Sequence, residues 1–352
     1  MRRRDFLNRA TLAGVAAAGL SVSFGDSVVR AQDGAAENID GAGSVTGAPY
    51  EPTFARKSGK PVPDWGDPQV EHLTTYNPDF ADRNLWIRRD NELLGVYRTN
   101  PNQKYPYLYP LAGPQSMVSV LAESAQPWPH HRGMFLGLDR VNGGNYWQGS
   151  RSEGQILSQG VKGVEATPSK VVFSDRCLWK KPEQDPIMED DRLYTITWRE
   201  DRFYTVDLYV KFTPLVDVKV LKTNHGFFGV RVTSDLSVDG GGQLVSSNGD
   251  RGEKNTLGKP AKWCACYGAR KFNPSITEGV AVFCPPEKPF RDCPWFTRDY
   301  GNISPMPFNF VENNYIFNYP KGEAWDALYR TVVFSGTPDT IDLDGLWKEI
   351  HG

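Results

Sequence analysis

The chain has 352 residues, of which 39% are hydrophobic and 23% are charged, and its formal net charge is −2. This composition is ordinary for a soluble globular protein, and it gives no excess of basic residues that would favour nucleic acid as a partner. Beyond the N-terminal segment no apolar run approaches the roughly 18 residues of a membrane-spanning helix, so we expect no integral membrane partner.

The first 31 residues predict an export signal. Residues 3–7 read Arg-Arg-Asp-Phe-Leu, and residues 10–24 form an apolar stretch rich in Ala and Gly. This order is typical of a twin-arginine signal peptide, with cleavage after Ala31. At about 1.5 Å per residue the apolar stretch is shorter than the roughly 30 Å core of a bilayer. We therefore expect a periplasmic or secreted protein, with an uncleaved N-terminal anchor as the alternative.

The next segments predict a leader followed by one folded domain. Residues 32–65 are rich in Gly, Ala, Ser and Pro, and such a composition cannot offset the entropy of ordering, so we expect a flexible leader there. Residues 66–352 are interpreted as a single domain. It begins with a hairpin in which residues 85–88 and 93–97 flank the turn residues Asp90 and Asn91.

From there the pattern is one of short β-strands. Runs rich in Val, Thr and aromatic residues are separated by Gly, Pro, Asn and Asp. The predicted strands are residues 116–121, 170–174, 193–198, 203–212, 216–222, 227–233, 280–283 and 328–334. In the fourth of these, alternation places Tyr204, Val206, Leu208 and Val210 on a buried face. Only residues 342–350 predict a helix, so we expect an all-β, antiparallel β-sandwich with a short C-terminal helix.

The five cysteines, an odd number, predict at least one thiol without an intramolecular disulfide. Cys264 and Cys266 share one face of a strand, but a single intervening residue is too short a spacing for a typical zinc knuckle. A disulfide that joins Cys264 or Cys266 to Cys284 or Cys293 is consistent with an oxidising compartment. Cys177 is the remaining cysteine.

The strongest candidate site is the polar run His130, His131 and Arg132. Pro127 and Pro129 favour an extended backbone there, which would point the two histidines to opposite faces and prevent them from chelating one metal together. Imidazoles suit acid or base catalysis near neutral pH, and a guanidinium can stabilise negative charge. The alternative is that the three side chains only satisfy buried loop carbonyls.

Several further residues are candidates to line or brace a pocket. Asn142 begins a turn, and Trp147 is either a stacking platform for a sugar ring or a core residue. His225 precedes a predicted strand that carries Arg231, and it is a candidate to assist catalysis. Two polar loops add Glu253, Arg298, Asp299 and Tyr300, whose charged members are either catalytic or ion pairs that hold the loops.

Five short motifs, in this order, resemble those of the bacterial DUF6807 family, which is also called PmoA-like or "methane oxygenase PmoA". They are His-His-Arg-Gly at residues 130–133, Val-Asn-Gly-x-x-x-Trp at residues 141–147, residues 225–231, Lys259 with Trp263-Cys264, and Arg298-Asp299-Tyr300-Gly301. The resemblance implies a secreted, β-rich protein with an architecture similar to galactose mutarotase-like sandwiches. Methane oxidation is not expected, because the mature chain lacks the helices that a membrane oxygenase needs.

The sequence thus favours an exported carbohydrate-active enzyme of lyase, epimerase or hydrolase type, without a cofactor, acting on a small carbohydrate or glycan. His130 or His131 would transfer a proton, Arg132 would stabilise negative charge and His225 would assist. Two rival hypotheses remain. One is a carbohydrate-binding protein without chemistry, and the other is a metal-dependent oxygenase or hydrolase that uses His131, His225 and a carboxylate.

Overall fold

The computed structural model describes residues 75–76 and 83–351, except residues 90–91, 124, 201, 226, 286–292, 310 and 312–313. The described residues belong to one unit, which spans Trp65–Gly352. The predicted signal peptide and leader lie outside the described residues. Within the described ranges, no helix is both long enough and apolar enough to cross a bilayer.

Strands form most of the structure, as the alternating sequence pattern predicts. In chain order they are β1 (Thr75–Tyr76), β2 (Leu85–Arg89), β3 (Glu92–Arg98), β4 (Tyr107–Leu111), β5 (Met134–Leu136), β6 (Asp139–Val141), β7 (Gly144–Asn145), β8 (Gln155–Thr167), β9 (Lys170–Lys180), β10 (Met188–Glu200), β11 (Phe203–Pro214), β12 (Val218–Leu221), β13 (Phe228–Arg231), β14 (Gln243–Ser246), β15 (Trp263–Arg270), β16 (Asn273–Phe283), β17 (Trp295–Arg298), β18 (Asn302–Pro305), β19 (Ile316–Tyr319) and β20 (Trp325–Ser335).

Helices are short and few in the described part of the chain. The two α-helices are α1 (Glu253–Thr256) and α2 (Leu343–His351), and the 3₁₀-helices are Arg151–Glu153, Ser234–Leu236, Val238–Gly240 and Pro338–Thr340. The C-terminal helix therefore confirms the prediction made for residues 342–350.

The strands assemble into two eight-stranded sheets and one four-stranded sheet. The first sheet has the order β1-β2-β3-β4-β5-β13-β18-β17, and the second has the order β14-β15-β16-β20-β11-β10-β9-β8. The small sheet has the order β19-β12-β6-β7. The strand pairs described here are all antiparallel, for example β10 with β11 and β5 with β13.

The two large sheets pack face to face and confirm the sandwich. Tyr97 of the first sheet lies 5.0 Å from Tyr194 of the second, measured between ring centroids, and Phe228 stacks on Tyr329 at 4.3 Å. Alternation in β11 sends Tyr204, Val206, Leu208 and Val210 into this core, where each is 0–1% exposed. Burial of a large apolar side chain contributes about 1.5–3 kcal/mol, so this interface is the main source of stability.

The outer face of the second sheet is covered by the C-terminal helix. Leu343 and Leu346 of α2 pack on Phe203 and Phe334 in a second apolar cluster. Arg330, in β20, donates to both carboxylate oxygens of Asp207 and to Glu349 of the helix. The helix is thus fixed to the sheet by apolar contacts and by a buried guanidinium.

Most of the predicted strands are confirmed, but residues 116–121 are not a strand. They form only isolated bridges, in which Ser119 pairs with Ala112 and Leu121 pairs with Val232. The buried carboxylate of Glu278 accepts hydrogen bonds from the backbone N–H groups of Gln115 and Ser116 at 3.0 and 2.9 Å. This long-range contact replaces the ladder that a strand would have formed.

The five cysteines are buried. Cys264 and Cys266 both face the core, as their spacing predicts. The sulfur atoms of Cys284 and Cys293 lie 3.4 Å apart, which exceeds the disulfide bond length of about 2.05 Å, so they are in contact but not bonded.

Candidate functional site

The segment between Pro127 and Gly133 forms a turn that brings two histidines together. The backbone N–H of His131 donates to the carbonyl of Trp128 at 3.0 Å. The ring centroids of His130 and His131 lie 4.7 Å apart, with the rings at 88°. The predicted extended backbone, with the two side chains on opposite faces, is therefore wrong, because the chain closes a turn from Trp128 to His131.

Trp147 is the centre around which three histidines are arranged. Its ring stacks on His131 at 5.1 Å and 21°, and it contacts His130 at 4.8 Å and His225 at 5.1 Å. The side-chain oxygen of Asn145 accepts hydrogen bonds from the backbone N–H groups of Trp147 and of the next residue, which fixes the chain at this point. We call His130, His131, His225 and Trp147 the imidazole cluster.

The two possible platforms for a sugar ring differ in accessibility. Trp147 is only 2% exposed and is covered by other rings of the protein, so it packs against the histidines and is not open to a ligand. Trp128 is 48% exposed and packs against His130 at 5.9 Å between centroids. The aromatic face that remains open to a ligand at the imidazole cluster is thus that of Trp128, which the sequence analysis did not single out.

A buried carboxylate orients His225. Nδ1 of His225 lies 2.6 Å from Oδ2 of Asp139, and the hydroxyl of Thr223 donates to the other oxygen of Asp139. Nδ1 also lies 3.3 Å from the side-chain nitrogen of Gln148. The Asp139 side chain is 6% exposed and that of His225 is 26% exposed, so a partly accessible imidazole contacts a buried carboxylate.

Sequence reasoning missed Asp139. Its partners are 84 and 86 residues away along the chain, and no local motif links them. The available signal was the alternation of β6, in which Asp139 and Val141 occupy inward positions and Arg140 points outward. A carboxylate at an inward strand position needs a partner, because an unpaired buried charge is strongly unfavourable.

The electrostatic environment keeps two of the three histidines uncharged. Burial is the main reason that the pKa of His131 falls to about 2, and the charges of His130 and Arg231 add to this effect. Burial, His225 and Arg132 lower the pKa of His130 to about 4. Both imidazoles are therefore neutral at pH 7, and each presents one donor and one acceptor nitrogen.

Two competing effects act on the pKa of Asp139. Burial acts to raise the pKa of Asp139, but hydrogen bonds from His225 and Thr223 outweigh it and hold the pKa below its ordinary value. The carboxylate is therefore ionised at neutral pH and accepts the Nδ1 proton of His225, which leaves Nε2 as the basic nitrogen.

Arg231 and Tyr300 extend the cluster on the side of His131. The ring centroid of Tyr300 lies 5.8 Å from that of His131, and the guanidinium carbon of Arg231 lies 4.4 Å from the Tyr300 centroid. Arg231 is 3% exposed and donates from Nη2 to the carbonyl of Gln126 at 2.8 Å. Burial raises the pKa of Tyr300 to about 12, so its hydroxyl stays protonated.

Glu253, Arg298 and Asp299 form a network that fixes the loop before Tyr300. Arg298 donates from Nη1 to Glu253 at 2.9 Å. The backbone N–H of Asp299 donates to Glu253 at 3.1 Å, and the backbone N–H of Glu253 donates to Asp299 at 2.8 Å. These reciprocal bonds match the loop-holding interpretation of the two carboxylates.

Two further candidate residues lie apart from the centre of the cluster. Arg132 places its guanidinium carbon 6.0 Å from the ring centroid of Tyr107. Asn142 has a φ of 48° in the turn between β6 and β7, its amide donates to the carbonyl of Asp217, and it accepts from the N–H of Lys219. Its side chain is thus engaged in joining the hairpin to β12.

A separate cavity of about 570 Å³ shares no residue with the imidazole cluster. It is lined by Pro114, Gln115, Arg202, Ser335, Gly336 and Thr340. Among the residues that the structure describes, no group of three or more His, Cys, Asp or Glu side chains has the geometry to hold a metal ion.

Comparisons with solved structures give low similarity. The chain is similar to a protein provisionally described as a kojibiose phosphorylase from the human microbiome, with 7% identity, a TM-score of 0.30 and coverage of 74% of this chain and 31% of the other. It is similar to a homologue of GalM and aldose epimerase from C. elegans, with 8% identity, a TM-score of 0.28 and coverage of 69% and 95%.

A third similar structure is a polysaccharide lyase, with 10% identity, a TM-score of 0.24 and coverage of 76% of this chain and 33% of the lyase. The chain thus spans about a third of the length of the phosphorylase and of the lyase. No curated protein sequence matches the chain. The model of the "Family of unknown function (DUF6807)" matches residues 84–348, which is most of the chain and includes every candidate site residue. The chain belongs to the DUF6807 family.

Proposed function

We propose that this protein is an exported carbohydrate-active enzyme in which Asp139 and His225 act together as the proton-transfer group. The observation that carries the proposal is the 2.6 Å contact between Nδ1 of His225 and the buried Asp139 carboxylate. A carboxylate in this position fixes the tautomer and the orientation of the imidazole, and it stabilises the imidazolium that forms when Nε2 takes a proton.

The lowered pKa values of His130 and His131 make these two histidines poor bases. The strength of a general base falls as its pKa falls below the working pH, and the pKa values of His131 and His130 are about 2 and about 4. We therefore assign these two histidines to binding rather than to proton transfer. This differs from the catalytic roles that the sequence alone suggested for them.

The surroundings of the dyad fit a sugar. Neutral imidazoles donate and accept one hydrogen bond each, which suits the hydroxyl groups of a sugar. The exposed ring of Trp128 beside His130 offers the flat apolar surface that sugar C–H groups stack on. Lyases, epimerases and many hydrolases share one requirement, a positioned group that moves a proton at a sugar carbon or oxygen.

The experiment is to incubate the purified full chain with a panel of neutral and acidic mono- and oligosaccharides in D₂O and to follow them by proton NMR. Loss of a C–H signal by exchange, interconversion of isomers or new products would each report proton transfer. Asp139→Asn and His225→Gln should lower the rate by about 10²-fold or more, in line with the usual effect of removing a general base.

His351→Gln is the matched control, because His351 lies in α2 and its Nδ1 contacts the carbonyl of Trp347. This variant should turn over substrate at the wild-type rate. Equal rates for the wild type and both dyad variants would refute the assignment of the dyad. Binding of sugars without any conversion would favour a non-catalytic carbohydrate-binding protein instead.

A further inference from the structure

We infer that the substrate is a carboxylate-bearing sugar of the hexuronate class, and that Arg231 binds its carboxylate. The inference rests on the proposed function, because it assigns the substrate class of that same site. It starts from Arg231, whose guanidinium has hydrogen-bond donors that the surrounding protein does not use.

Arg231 is a buried cation with unused hydrogen-bond donors. The residue is 3% exposed, and its Nη2 donates a hydrogen bond to the carbonyl of Gln126. Nε and Nη1 are buried and have no hydrogen-bond partner in the described part of the chain. A buried guanidinium is costly unless its donors and its charge are satisfied, so this arrangement suits a site that a ligand completes.

The carboxylates around the cluster are already committed to other groups. Asp139 accepts from His225 and Thr223, and Glu253 accepts from Arg298. Asp299 accepts from the backbone N–H of Glu253.

Asp239 acts electrostatically on Arg231, but among the described residues no carboxylate lies within 4.0 Å of its guanidinium nitrogens as an ion pair. The unused donors of Arg231 are therefore left for a ligand. A group that accepts hydrogen bonds and carries negative charge is the one that best completes a guanidinium.

The strand register places Arg231 next to the histidines. The backbone N–H of Arg231 donates to the carbonyl of Gly133 at 2.8 Å, so the arginine lies across from the end of the histidine loop. His131 and Arg231 both contact the ring of Tyr300. Nδ1 of His131 is also buried without a hydrogen-bond partner, so two side chains at this point have unused polar atoms.

A carboxylate fits these groups better than a neutral hydroxyl does. The planar guanidinium matches the planar carboxylate, and a hydrogen bond to a charged partner is stronger than one between neutral groups. A hexuronate combines this carboxylate with the hydroxyl groups that the neutral imidazoles can bind. The matched neutral sugar is a hexose of the same configuration, which differs only at the carboxylate carbon.

The test is isothermal titration of the full chain at pH 7 with glucuronate and galacturonate, and with glucose and galactose as neutral counterparts. We expect at least one hexuronate to bind about tenfold or more tightly than its hexose, as one charge-assisted hydrogen bond provides. Arg231→Met should remove this preference, and Arg231→Lys should restore part of it. The control Arg176→Met removes an exposed arginine of β9 that is paired with Asp191. This variant should bind both sugars like the wild type.

Several outcomes would overturn the inference. These are equal binding of hexuronate and hexose, an unchanged preference in a folded Arg231→Met variant, and no binding of either sugar by the folded wild type. The comparison of sugars on the wild type needs no variant, so a folding defect in Arg231→Met does not block the test. Displacement of the hexuronate by equimolar sulfate or phosphate would show a general anion site and would also overturn the assignment.

The two proposals fail in distinguishable ways. If hexuronates bind preferentially but His225→Gln converts them as fast as the wild type, the dyad assignment is wrong and the anionic subsite stands. If conversion depends on His225 but hexoses bind equally well, the dyad stands and the subsite is wrong.

Discussion

Replacing His131 with Phe should make the protein markedly more resistant to acid. Phe keeps an aromatic ring in the stack with Trp147 and Phe135 but cannot bind a proton. In the unfolded chain the imidazole is protonated as the pH falls through its ordinary pKa of 6.5, whereas in the folded protein its pKa is about 2. The unfolded state then binds more protons, so the free energy of unfolding decreases as the pH falls below about 6.5.

The magnitude follows from the gap between the pH and the unfolded pKa. Each pH unit below 6.5 costs about 1.4 kcal/mol for one such group, so lowering the pH from 7 to 4.5 costs the wild type roughly 2.5 kcal/mol through His131. The exact folded pKa matters little here, because it lies far below 4.5. His130→Phe should recover nearly as much at pH 4.5, because the folded pKa of His130, about 4, is also below that pH; the two variants should diverge only at lower pH.

The assay is urea unfolding of the wild type, His131→Phe and His130→Phe at pH 7 and pH 4.5. The free energy of unfolding of His131→Phe should fall by roughly 2.5 kcal/mol less than that of the wild type between these pH values. If the wild type and His131→Phe lose the same amount, the folded imidazole is protonated in that range and the reasoning is refuted.

Two further predictions concern the imidazole cluster and the residues that contact it. Trp147→Ala should lower the free energy of unfolding by about 3–5 kcal/mol, whereas Trp128→Ala should change it by less than about 0.5 kcal/mol, as chemical denaturation would show. A similar cost for both would contradict the assigned burial. The lowered pKa of Asp139 stabilises the fold above its ordinary value of 3.8, and this contribution is lost as the pH falls through the folded pKa. Asp139→Asn should therefore flatten the acid limb of the stability curve, and an unchanged limb would argue against an ionised Asp139.

The sequence predicts the sandwich well because alternation is a local property. Each inward residue of β11 is buried whatever its partner strand is, so the alternating pattern of Tyr204 to Val210 already identifies the core face. Residues 116–121 show the limit of this reasoning. Their composition suits a strand, but Glu278, which is remote in the sequence, binds the preceding backbone and leaves only isolated bridges.

The sequence identifies the three histidines of the imidazole cluster but not their arrangement or their partners. Composition and spacing identify His130, His131 and His225, which the structure brings together around Trp147. The pKa of His131 depends on burial and on charges from distant strands, which no local pattern encodes. The contact between Asp139 and His225 depends on how β6 meets the segment after β12, and this is a matter of tertiary packing.

The dyad joins two different sheets of the protein. Asp139 belongs to β6 of the four-stranded sheet, and His225 lies where the chain leaves that sheet at β12 and enters the eight-stranded sheet at β13. A relative shift of about 1 Å would lengthen the 2.6 Å contact beyond the range of a hydrogen bond. The proposed proton transfer therefore depends on the position of the small sheet. Moderate heating that loosens only this sheet should abolish the proposed activity while the sandwich stays folded.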